Sequence, residues 1–171
     1  ETMTINSRKK DFLMSSGIWK GKTLWDLYVK AHTPYTWHEE LFKFAKRNKI
    51  TCFSSPFDES AVKLLEKLNC PIYKVASLEI TDLPLIKAIA KTKKPIIIST
   101  GCATINEIKK CVKLIHRYHK KIIILHSVTK YPTEDSEANI LKISKLKKIF
   151  KNTMIGLSDH TQNIFSSIAA T

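Results

Sequence analysis

The chain has 171 residues, 43% of them hydrophobic and 26% charged, the balance of a folded domain with a core rather than of a disordered chain. No apolar run reaches the ~18 residues of a membrane-spanning helix. The formal charge of +14 raises the question of nucleic acid. However, the densest basic group, Lys142, Lys145, Lys147, Lys148 and Lys151, has no interleaved aromatics on which bases stack. We therefore expect neither a nucleic-acid nor a membrane partner, and read the lysines as solvated helix faces whose field attracts an anionic substrate.

Glu1 opens on neither an initiating Met nor the charged-then-apolar pattern of a signal peptide, and the expectation is a piece of something longer. Residues 1–22 are polar and irregular, with Gly17 and Gly21 as turn residues. Thr23 to Lys30 reads as a short helix, broken by His32-Thr33-Pro34. Thr36 and Glu39 have the spacing of a capping box ahead of the stripe Trp37, Leu41, Phe44 and Ala45.

A regular alternation follows. Strands are expected at Ile50–Ser55, Ile72–Ser77, Pro95–Thr100, Ile122–His126 and Met154–Ser158. Amphipathic helices follow them, opened by Asp58, by Asp82-Leu-Pro84 and by a capping box at Thr104 and Glu107, then running through Ile140, Ile143, Leu146 and Ile149, with a last one begun by Ile164 and Ile168. Continuous apolar strands alternating with helices imply a parallel sheet covered on both faces. No GxGxxG loop is present for a dinucleotide. Every strand ends in hydroxyl or charged residues, which favours a (β/α)8 TIM barrel over an open doubly wound sheet. Cys52, Cys70, Cys102 and Cys111 show no CxxC spacing, so a reducing, cytoplasmic setting is expected.

The strand ends carry the chemistry. Ile72, Val75 and Ala76 form the apolar stem of the second strand, and Lys74, Ser77 and Glu79 are polar where a buried strand stays apolar. Ser54 and Ser55 precede a Pro and a helix start, and Ser99-Thr100-Gly101 offers small hydroxyls beside a glycine that admits close backbone approach. The run His126-Ser-Val-Thr-Lys-Tyr131 ends the fourth strand, and Gly156-Leu-Ser-Asp-His-Thr161 the fifth. A lone His after an apolar strand is more often structural than a ligand. His116 and His119 read as helix-end residues, and His32 and His38 as structural or solvent-facing. Together, a lysine, several hydroxyls and a histidine suit a phosphate site beside a metal, with Glu79 available for proton transfer.

These pieces resemble the sialic acid synthase family, the phosphoenolpyruvate-dependent synthases of nonulosonic acids. The matching stretches are Phe53-Ser-Ser-Pro-Phe-Asp58, Tyr73-Lys-Val-Ala-Ser-Leu-Glu79, Pro95-Ile-Ile-Ile-Ser-Thr-Gly101, His126 to Pro132, and Gly156 to Thr161, in the family's order and spacing. Gly17 to Tyr28, Ala31-His-Thr-Pro34 and Trp37-His38 look most like its pseudaminic acid synthase branch. The resemblance implies an incomplete barrel over residues 1–171, about strands three to seven, lacking the first two strands, the last strand and a C-terminal antifreeze-like domain. It implies condensation of phosphoenolpyruvate with the aldehyde form of an N-acetylated amino sugar, aided by Mn2+ or Mg2+, in a cytoplasmic homodimer. By position, Lys74, Ser55, Ser77, Ser99 and Ser158 match residues that hold phosphoenolpyruvate. Glu79 matches the active-site carboxylate, His160 one of two metal histidines, and Tyr131 a substrate-pocket residue. Thr129 stands where some relatives carry Asn, and Ser55 where many carry Thr.

The second metal histidine lies on a strand absent here, and an arc with open edges is prone to aggregation. The stretch alone is therefore expected to be inactive. Two rival readings remain. One is another phosphoenolpyruvate-condensing or Schiff-base aldolase-type barrel with Lys74 as imine former, which borohydride trapping separates. The other is a non-catalytic basic binding fragment, which salt-dependent nucleic-acid affinity would favour.

Overall fold

A computed structural model describes residues 4–171. The chain divides into two compact units, Glu1–Ile50 and Thr51–Thr171, and each is described by itself.

In the first unit a 3-10 turn at Lys10–Phe12 leads into an antiparallel bridge between Leu13 and Thr23. Gly17 and Gly21 close the loop between them at φ +79°, a left-handed backbone that residues with a Cβ resist. Helix α1 (Leu24–Ala31) starts at Thr23, whose hydroxyl accepts the Asp26 N–H at 3.1 Å. Helix α2 (Tyr35–Arg47) departs from the expected start. Its N-cap is Pro34, with no side-chain cap. Thr36 already lies inside the helix, and Glu39 pairs one turn on with Lys43 at 2.7 Å instead of closing a capping box. Pro34, at φ −57°, pre-sets the first turn and starts the helix early. Of the expected stripe, Ala45 is buried, whereas Trp37, Leu41 and Phe44 remain exposed.

In the second unit the described residues form one parallel sheet of four strands in sequential order. These are β1 (Tyr73–Val75), β2 (Ile96–Ser99), β3 (Ile122–Ser127) and β4 (Met154–Ser158). Helix α3 (Glu59–Lys67) precedes β1, α4 (Leu83–Lys91) joins β1 to β2, α5 (Ile105–Ile115) joins β2 to β3, α6 (Leu141–Ile149) joins β3 to β4, and α7 (Phe165–Ala169) follows. A doubly wound sheet reverses its strand order at a switch point. This one does not, and it is an arc of a (β/α)8 barrel.

Local chemistry starts the helices where it was expected to. Asp58 accepts from Ala61 N–H at 2.8 Å, Asp82 from Leu85 N–H at 3.0 Å, and Thr104 and Glu107 form a complete capping box. Each cap satisfies a backbone donor that the helix leaves orphaned and is worth about 1 kcal/mol.

The first expected strand is absent from the sheet. Ile50 donates its N–H to Ala45 O, so it finishes α2. Thr51 to Pro56 has no ladder partner among the described residues. A hydrophobic run becomes a strand only where a neighbour accepts its backbone hydrogen bonds. The second strand is also shorter than expected: Ser77 and Glu79 lie on a 3-10 turn, Ser77–Thr81.

Register sorts the sheet into two faces. Tyr73, Ile96 and Ile122 are level, as are Val75, Ile98, Ile124 and Ile155. Tyr73, Val75, Ile96, Ile98 and Ile124 are fully buried. Together with Leu85, Ile86 and Ile89 of α4 and Ile108, Cys111 and Ile115 of α5 they form the core. Each large apolar side chain so buried contributes roughly 1.5–3 kcal/mol. The alternate residues, Lys74, Ile97, Ile123 and Met154, share the opposite face, the interior side of a barrel wall. Met154 is 68% exposed there.

Candidate active site

Parity along each strand decides which polar residues meet. Lys74 faces the interior from β1. Two residues further along, Ser99 does so from β2, level with Leu125 and Gly156. One layer higher, Ser127 of β3 and Ser158 of β4 are register partners. The carboxyl ends of the strands thus carry a cation and three hydroxyls on one face, where ligands of parallel α/β folds bind. Ser99 and Ser127 are each 2% exposed, and neither hydroxyl has a hydrogen-bond partner among the described residues.

Ser77 reaches this rim from the 3-10 turn after β1. Its hydroxyl oxygen accepts the Gly101 N–H at 3.0 Å, which leaves its own proton to donate. Gly101 has no room for a side chain: a Cβ there would lie 2.1 Å from Thr129 Oγ1 and 2.9 Å from Ser77 Oγ. Ser77, Gly101 and Thr129 are therefore wedged together across the ends of three strands. Glu79, two residues beyond Ser77, is half-buried, and its Oε2 has no partner among the described residues. Burial holds its carboxyl above the usual 4.5, the nearby Asp82 charge adds to this, and Lys74 partly offsets it. A carboxyl so placed is suited to exchanging a proton.

At the other end of the rim, His160 Nδ1 lies 2.6 Å from Val128 O. A carbonyl only accepts, so Nδ1 donates to it, and Nε2 is the nitrogen left for another partner. Ser158 Oγ lies 3.4 Å from that Nε2, and the Tyr131 ring sits over the imidazole with centroids 4.2 Å apart. This is how a metal-binding imidazole is held, its second nitrogen bonded to a carbonyl. Among the described residues no group of three His, Cys, Asp or Glu side chains is close enough to hold a metal ion. The residues present fit one ligand of a divalent cation and not a whole coordination sphere.

The structure thus brings Lys74, Ser77, Glu79, Ser99, Thr129, Tyr131, Ser158 and His160 to the carboxyl-end rim of one sheet. Ser55 is half-buried in the irregular stretch before β1 and has no hydrogen bond to the others among the described residues. His126, at the end of β3, turns the other way. It is 1% exposed, and its Nε2 donates to Ala138 O at 2.8 Å, so it is a core residue on the helix side. His119 accepts the Lys121 N–H through Nδ1 instead of meeting helix carbonyls. Ser127 also faces the rim, and the alternation Ile122, Ile124, His126 already assigns it to the opposite face from the core.

Comparison with known proteins decides the lineage. A match to the NeuB family runs over residues 1–171. The chain belongs to the NeuB family. It is 45% identical over 170 residues to a pseudaminic acid synthase of Helicobacter pylori, covering 99% of this chain and 50% of that protein. It is 42% identical over 136 residues to an N,N'-diacetyllegionaminic acid synthase of Campylobacter jejuni, covering 78% and 40%. Its fold superposes on the N-acetylneuraminic acid synthetase of Leptospira borgpetersenii, solved with citrate, at a TM-score of 0.78 and 29% identity, over 84% of this chain and 50% of that one. The chain spans about half the length of the curated NeuB relatives it matches.

Proposed function

We propose that the protein to which this stretch belongs condenses phosphoenolpyruvate with the open-chain aldehyde of an N-acetylated amino sugar, as a pseudaminic acid synthase. The observation that carries this reading is the single rim shared by Lys74, Ser99, Ser158 and His160, in a chain 45% identical to such a synthase.

Lys74 and the hydroxyls of Ser77, Ser99 and Ser158, with Ser55 ahead of β1, hold the phosphate and carboxylate. Thr129 and Tyr131 border the sugar. C3 of phosphoenolpyruvate attacks the aldehyde carbon, and the aldehyde oxygen takes up a proton. Water adds to C2 and loses a proton, and phosphate leaves with its bridging oxygen by C–O cleavage, so the net reaction consumes one water. Glu79 protonates the nascent alkoxide or takes the proton from the water. His160 Nε2 would supply one ligand to Mn2+ or Mg2+, which when bound polarises an aldehyde carbonyl. A cytoplasmic homodimer is part of the same proposal; among the described residues no helix is long and apolar enough to cross a membrane.

The test is phosphate release from phosphoenolpyruvate in the presence of N-acetylated amino sugars. The full-length protein should turn over and its Lys74→Ala variant should not, and the 171-residue chain should be inactive. Imine trapping on Lys74 by borohydride, or turnover unaffected by Lys74→Ala, would refute this chemistry.

A further inference from the structure

Ser127 has a feature that its fold role does not use. It is 2% exposed, and its hydroxyl is buried with no hydrogen-bond partner among the described residues. A buried hydroxyl without a partner is costly, and folded proteins retain few of them. Here two lie together. Ser99 Oγ, on the neighbouring strand and the same face, is equally buried and equally without a partner. The register sets Ser127 one layer above Ser99 and directly beside Ser158. Ser158 Oγ has His160 Nε2 within 3.4 Å. Among the described residues the Ser99 and Ser127 hydroxyls have no such neighbour.

We infer that Ser127 is an anion-binding residue of the rim, its O–H paired with that of Ser99 to donate to one phosphate or carboxylate group. The inference deepens the proposed function and rests on it for the identity of the anion. An oxyanion accepts several hydrogen bonds at once and satisfies both hydroxyls in one event. Binding of one anion gives both hydroxyls an acceptor.

This has a signature that a packing role lacks. Removing the hydroxyl relieves the apo protein and penalises the complex. Ser127→Ala should leave the denaturation midpoint of the full-length protein unchanged or raise it, and should weaken anion binding about tenfold, the loss expected for one hydrogen bond to a charged group. Ser127→Cys keeps the shape with a weaker donor and should fall between the two.

The experiment titrates inorganic phosphate and, separately, phosphoenolpyruvate into the full-length protein and both variants, with binding followed by NMR or calorimetry. Weakening of phosphate binding in the order Ser, Cys, Ala without loss of stability supports the inference. If phosphate binds with this dependence and phosphoenolpyruvate does not bind, the proposed reaction fails and the role of Ser127 stands. Equal phosphate affinity in all three chains overturns it, as does absence of any phosphate binding. A lowered midpoint in Ser127→Ala with unchanged affinity overturns it too, by assigning the hydroxyl to a structural water.

Discussion

Gly101→Ala tests the wedge at the rim. The added methyl carbon lies 2.1 Å from Thr129 Oγ1, 2.9 Å from Ser77 Oγ and 3.3 Å from Ser77 Cβ. Carbon and oxygen out of bonding reach need well over 3 Å, so the first overlap exceeds 1 Å and cannot be absorbed by small shifts. Thr129 is exposed and can rotate its χ1, at a cost near 0.5–1.5 kcal/mol if it is forced off a staggered well. Ser77 has less freedom, because its oxygen accepts the Gly101 N–H at 3.0 Å. Pushing it back stretches that bond and moves a proposed ligand hydroxyl. The total should be about 1–3 kcal/mol, as for other overpacked sites. With urea m-values of roughly 1–3 kcal/mol/M, the midpoint should fall by about 1 M. Thr129→Ala in the same chain should recover part of the loss and leave the part due to Ser77. A Gly101→Ala chain that unfolds within about 0.3 kcal/mol of the parent would refute the wedge.

Three further outcomes follow from burial and charge. The Glu79 carboxyl is raised above 4.5 in the folded chain, so the native state binds the extra proton and stability falls as pH rises through that window. Glu79→Gln should match the parent near pH 4 and exceed it at pH 8; equal midpoints at both would contradict the assigned burial. Burial lowers the His126 pKa below 6.5, so its contribution is complete above pH 6.5 and is lost as pH falls. Replacing His126 by Gln should flatten the acid limb of a stability–pH curve, and an unchanged limb would argue against this. Cys111 is fully buried and its thiol is pushed up to about 12 by burial, whereas Cys102 is exposed. Maleimide should label Cys102 in the native chain and reach Cys111 only after denaturation, as mass spectrometry would show.

Much of the second unit is legible residue by residue because its signals are local. Asp58, Asp82 and Thr104 each cap a helix within three residues of their own position, so no distant partner is needed to predict them. The apolar runs at Ile96 and Ile122 become strands in the expected order, since strand–helix alternation leaves few ways to cover a parallel sheet. The same local logic misplaced the start of α2, where Pro34 overrode the spacing of Thr36 and Glu39.

What the sequence determined by itself is which residue types stand at the strand ends: Lys74, Ser99, Ser158 and His160 could be named without coordinates. Tertiary structure decided which of them share a face. His126 and Ser127 are adjacent in the chain, yet one bonds the Ala138 carbonyl on the helix side and the other lies beside Ser158 on the interior. Only pairing could demote Ile50–Ser55 from strand to irregular chain, and only packing shows why position 101 is glycine. The reason is common to all three. Capping and periodicity are set by neighbours a few bonds away, whereas register, parity and close approach depend on residues brought together from distant parts of the chain.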